Sequence, residues 1–150
     1  MHAVGNFTRS SAFILFLSLL SSHAYCNSTR LDDPELHGYL VGHYLLIGKA
    51  PDSDQTYHGT VLIEEDDDGS LSVKRTIGDE VIRGTGRVET TRLTEARVLR
   101  IRFSHAGLNY EQTCLWRGDL DNYARITCHL YQEDGRTQQP GLEALFHDTR

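Results

Sequence analysis

The sequence is short of several things, and each shortage narrows what the protein is. Its longest apolar run is Ala12-Phe13-Ile14-Leu15-Phe16-Leu17-Ser18-Leu19-Leu20. That run is too short to span a bilayer as a stable helix, and no second run approaches the ~18 residues a span requires. No stretch sustains a 3.6-residue apolar period, so little helix is expected. No serine sits in a G-x-S-x-G elbow and no G-x-x-x-x-G-K-[ST] loop exists, which removes one nucleophile signature and one phosphate-binding signature. His37, His43, His58, His105, His129 and His147 show neither H-x-H nor H-E-x-x-H spacing, and the cysteines make no zinc knuckle. The acidic run Glu64-Glu65-Asp66-Asp67-Asp68-Gly69 lacks the alternating ligands and closing glutamate of a calcium loop, and reads as a solvated hairpin tip. No catalytic residue, metal ligand or cofactor is expected.

What stands at the N-terminus is more telling. Arg9 supplies a positive charge, the apolar run follows, and Ser22-His23-Ala24 offers a small-residue cleavage site. That order predicts a secretory signal peptide over residues 1–24, cut after Ala24, and a secreted or periplasmic protein. Residues 25–37 read as a polar leader and 38–150 as one domain. Removing Arg9 from the 15 Lys+Arg leaves 14 against 21 Asp+Glu, a net charge of −7. Such an acidic balance argues against a nucleic-acid backbone or an anionic membrane surface as partner.

There are three cysteines, Cys26, Cys114 and Cys128. Export permits a disulfide, and an odd number leaves one over. Cys26 lies close to the cleavage site, but the bulky Tyr25 before it argues against lipid attachment. It is left free, lipidated or paired between chains. Asn27-Ser28-Thr29 is a glycosylation sequon that matters only in a eukaryotic host.

Beyond the leader, turn signals recur between β-rich runs: Tyr39 to Ile47, Tyr57 to Glu64, Leu71 to Ile77, Val81 to Glu89, Arg97 to Phe103, Asn109 to Arg117, Tyr123 to Tyr131 and Leu142 to Phe146. This spacing predicts an all-β meander, a single antiparallel up-and-down barrel of about eight strands. A short helical turn within 31–38 fits the leader.

Alternation assigns faces. Leu99, Ile101 and Phe103 point one way, Arg100 and Arg102 the other. Ala124, Ile126, Cys128 and Leu130 share a face, as do Tyr110, Gln112, Cys114 and Trp116. A hairpin centred on Asp121 sets Cys114 opposite Cys128 and Trp116 opposite Ile126, with the apolar residues on one side. A Cys114–Cys128 disulfide is therefore expected, against the alternative of two buried thiols. Ile82, Gly84, Gly86 and Val88 also share a face. The two glycines fit sheet coiling, core packing or room left for a ligand. Arg75 falls on the face of Leu71 and Val73. A buried guanidinium must be paired, so Arg75 is a plug stacked on an aromatic, is turned outward by a bulge, or contacts a ligand. Gln112 beside Trp116 has the composition of a small-molecule pocket, a few polar groups among apolar walls. Arg75, Tyr110, Gln112 and Trp116 form the expected ligand-binding set.

Gly42-His43-Tyr44, Tyr57-His58-Gly59-Thr60-Val61-Leu62-Ile63, Leu71-Ser72-Val73 with Ile77-Gly78, and Gly84-Thr85-Gly86 with Leu99 resemble small lipocalin-like, calycin-type exported bacterial domains. There, G-x-[WY] opens the first strand, Y-x-G-x-V-x-I forms the second and a G-x-G strand follows. The resemblance covers about residues 38 to 103. It implies an eight-stranded barrel whose lumen holds one small ligand. The chain departs from that pattern at Tyr44, which replaces a tryptophan, and in lacking a T-D-Y turn, for which Asp121-Asn122-Tyr123 is the nearest echo.

The leading functional expectation is an exported, non-catalytic binding protein whose lumen takes a small apolar or anionic ligand. The alternative is a protein-binding module, such as an inhibitor of an exported hydrolase, acting through loops 48–56 or 132–141. A third is an enzyme with a histidine and tyrosine in the mouth, His43 or His129 among them. Oligomeric state is left open.

Overall fold

The computed structural model describes residues 38–91, 94–116 and 125–150. The signal segment with its cut after Ala24, the leader with Cys26, His37 and Ala124, and the turn centred on Asp121 lie outside the described residues.

Eight strands form a closed barrel: β1 (Gly42–Lys49), β2 (Thr56–Glu65), β3 (Leu71–Ile77), β4 (Glu80–Thr90), β5 (Arg97–His105), β6 (Leu108–Trp116), β7 (Ile126–Gln132) and β8 (Gly141–His147). Each pairs antiparallel with its successor, and β8 returns to pair with β1, from Tyr44↔His147 to Lys49↔Leu142. No helix among the described residues is long and apolar enough to cross a membrane.

The first expected strand is displaced. Gly38–Leu40 take a helical turn and β1 starts only at Gly42. The Tyr44 hydroxyl fixes that turn by donating to the Leu40 carbonyl at 2.9 Å, and Leu40 is fully buried in the core. Burial pushes the Tyr44 phenol up to about 12, against the opposing pull of Arg125. Leu40 thus enters at the end that carries the β2–β3, β4–β5 and β6–β7 connections.

Strand alternation decides what fills the lumen. Leu99, Ile101 and Phe103 point inward. Arg100 and Arg102 point outward, where they pair with Glu89 and Glu111; Arg102 lies 2.8 Å from each acid. Near the Leu40 end, Tyr44, Ile63, Leu71, Val73, Leu99, Ile126 and Leu145 pack together. Cys114 meets Cys128 directly across β6 and β7 and the two are joined as a disulfide, Cα–Cα 4.0 Å. Closing a loop of 14 residues stabilises the fold by roughly 3 kcal/mol.

The two strand glycines serve packing. A Cβ on Gly84 would stand 2.6 Å from the Arg102 carbonyl, so β5 crowds β4 there. A Cβ on Gly86 would meet Leu71 and Leu99 at 3.3 Å, so those side chains already occupy the space beside it. This half of the lumen is filled. An eight-stranded barrel has an interior about wide enough for its own side chains.

Candidate functional site

The inward rows change character halfway along the barrel. Past the apolar half, the inward positions are Gly48 on β1, Tyr57 on β2, Arg75 on β3, Gln112 on β6 and Glu143 on β8. Arg75 is 2% exposed, Gln112 1% and Glu143 4%. Such groups are stable inside only when hydrogen-bonded to each other. Glu143 is the hub. Its Oε1 accepts from Arg75 Nη2 and from the Tyr57 hydroxyl, and its Oε2 accepts from Gln112 Nε2 at 2.5 Å. Burial raises the Tyr57 phenol well above its ordinary value, and the neighbouring Glu143 carboxylate raises it further.

Register explains how these residues meet. Gly48 pairs with Tyr57 on one side and Glu143 on the other. With no side chain between them, the tyrosine crosses over Gly48 to the carboxylate. A Cβ there would stand 2.5 Å from Tyr57 Cζ.

The guanidinium is held on a second side. Arg75 Cζ lies 4.3 Å from the Phe103 ring centroid, within cation–π range. Phe103 in turn stacks on Tyr110, centroids 5.4 Å apart and planes 17° from parallel. Arg75 Nε and Nη1 are buried and have no hydrogen-bond partner among the described residues.

Above this layer opens a cavity of about 320 Å³, lined by Ala50, Pro51, Gln55, Tyr57, Arg75, Ile77, Glu80, Ile82, Phe103, His105, Tyr110 and Leu130. It lies at the end of the barrel carrying the β1–β2, β3–β4, β5–β6 and β7–β8 connections, opposite Leu40. Its charged lining besides Arg75 is Glu80, whose Oε1 lies 3.2 Å from His105 Nδ1. Two of the loops at this mouth are tied together. Asp52 Oδ1 accepts the Gln138 and Gln139 amides at 2.9 and 2.7 Å, and the Asp52 amide donates to the Gln139 carbonyl at 2.9 Å.

No protein-family model matches the chain, and no curated protein matches it in sequence.

The four residues expected to line a ligand site do not share one place. Arg75 and Tyr110 line the cavity. Gln112 lies behind it, bonded to Glu143. Trp116 is at the far end of β6, packed against the apolar core; six residues of strand put it roughly 20 Å from Tyr110. His129 is on the outer face, and His43 is exposed at the Leu40 end. The histidine at the mouth is His105. Among the described residues, no group of three or more His, Cys, Asp and Glu could hold a metal ion.

Sequence reasoning passed over Glu143 and Tyr57. The signal for Glu143 is the buried Arg75, which demands an inward carboxylate from some other strand. A larger concavity, about 700 Å³, lies on the outside of the barrel with Ile47, Val98, Leu115, Leu142 and Ala144 among its lining residues.

Proposed function

We propose that this chain is an exported, non-catalytic binding barrel of calycin type that carries one small, mostly apolar ligand in the cavity at its open mouth. The observation that carries this reading is the pairing of that cavity with Arg75. Small-molecule sites join apolar and aromatic walls to a few placed polar groups. Here Tyr57, Phe103, Tyr110, Ile82 and Leu130 supply the walls, and Arg75 with its Glu143 partner supplies the polar floor. A volume near 320 Å³ suits a molecule displacing about ten waters, at ~30 Å³ each. The Cys114–Cys128 disulfide supports an oxidising compartment.

The test is titration with an environment-sensitive naphthalene probe. Saturable one-to-one binding is expected, and Ile77→Trp, which fills the mouth, is expected to remove it while the β circular dichroism spectrum is kept. Binding that survives Ile77→Trp unchanged, or no binding, sinks the reading.

One observation favours a second reading, a protein-binding module. Loops 50–55 and 133–140 are joined through Asp52 into one platform, so a partner surface there is preorganised. Asp52→Ala would separate the loops and weaken capture of a partner from the exported fraction without touching the cavity.

A further inference from the structure

We infer that the ligand is uncharged and that the cavity discriminates against carboxylates. This rests on the cavity being the ligand site.

An arginine at the floor of a pocket ordinarily suggests an anionic ligand, because its planar fork fits a carboxylate. Two facts reverse that expectation here. First, the positive charge is already balanced. Glu143, 4% exposed, bonds Arg75 directly. The pair is neutral as a unit, and Gln112 and Tyr57 add donors without adding charge. A carboxylate entering beside it would be a second buried acid sharing one cation. The excess charge must then be desolvated without a counter-ion, which is expensive in a low-dielectric site. Second, the remaining charged side chain in the lining is another acid, Glu80, whose partner His105 balances it only when protonated. Among the described residues, no Lys and no second Arg lines the cavity.

Phe103 covers one face of the guanidinium and stacks on Tyr110, so the wall beside the ion pair is aromatic. The ligand class is therefore an aromatic or other flat apolar body without charge.

The experiment compares naphthalene, 2-naphthamide and 2-naphthoate by calorimetric titration at neutral pH against the whole barrel domain. The amide is expected to bind about tenfold tighter than the carboxylate. Glu143→Gln frees the guanidinium charge, so the carboxylate is expected to gain on the amide. Should that variant not fold, the wild-type comparison decides alone. Naphthoate binding as tightly as naphthamide overturns the inference while leaving the cavity a binding site. Failure of all three to bind overturns both.

Discussion

Gly48 lies under the ring of Tyr57, and replacing it with alanine tests whether the polar layer is built as described. Gly48 is not among the glycines with positive φ, so its backbone accepts alanine. Losing a strand glycine by itself stabilises by ~0.5–1 kcal/mol. Against this, the new methyl would stand 2.5, 2.6 and 2.8 Å from Tyr57 Cζ, Cε2 and Oη. A stiff ring bounded by β1 and the cavity cannot yield there without leaving Glu143. Overpacking costs ~1–3 kcal/mol, and a hydrogen bond to a charged acceptor is worth ~1.5–3 kcal/mol. The net expectation is destabilisation of about 1.5–5.5 kcal/mol after the glycine gain is subtracted, a large part of the ~5–15 kcal/mol that holds a domain together. Urea unfolding followed by circular dichroism would show a lower midpoint with an unchanged slope. The decisive control is the same substitution in a Tyr57→Ala background. With the ring gone, Gly48→Ala should become neutral or mildly stabilising. Equal cost in both backgrounds, or no cost in the wild type, would refute the placement of Tyr57 over Gly48.

Two further outcomes concern the frame around the site. Replacing both Cys114 and Cys128 with alanine should lower stability by about 2–4 kcal/mol, measured by urea unfolding, with no thiol among these two titratable in the unreduced wild type after denaturation. Raising pH should destabilise the barrel from about pH 10 upward. The Tyr44 phenol is held up to about 12 and Tyr57 is raised in the same direction. Above the ordinary phenol value the unfolded chain has lost these protons and the folded chain keeps them, so stability is full below pH ~10 and falls as pH climbs towards the folded values. Ultraviolet titration of phenolate should show both tyrosines ionising only with unfolding, and Tyr44→Phe or Tyr57→Phe should flatten the fall.

The barrel was legible because its strands alternate cleanly. Leu99-x-Ile101-x-Phe103 and Cys114 against Cys128 set faces and register from local pattern alone, and both hold. β8 was harder. Leu142, Ala144 and Phe146 on one face read as apolar as Leu145 on the other, so alternation does not reveal that Glu143 points inward. The inward acid follows only from three-dimensional closure, when β8 lands beside β1. Trp116 shows a different limit. It shares a face with Tyr110 and Gln112, but a face runs the length of a barrel, and the lumen is partitioned along that length. Leu142, Ile47 and Leu115, 49%, 58% and 59% exposed, show the converse: an apolar residue in a strand is not always a core residue.

The meeting of the first and last strands gives the polar layer a role in folding. The other seven strand pairings join neighbours in sequence, whereas β1 and β8 are separated by most of the described chain. Such non-local pairing carries the largest loop-closure entropy in a meander. Every bond to Glu143 crosses to β2, β3 or β6 from this last strand. An open sheet with β8 undocked leaves the Arg75 charge in water, where it is content. Only the closed ring, in one register, places a carboxylate against it. A slip of one residue along the seam would aim Glu143 outward and bury the arginine alone. The polar layer thereby proofreads the closure, penalising misregistered rings and leaving no sheet edge exposed for a neighbouring chain to extend.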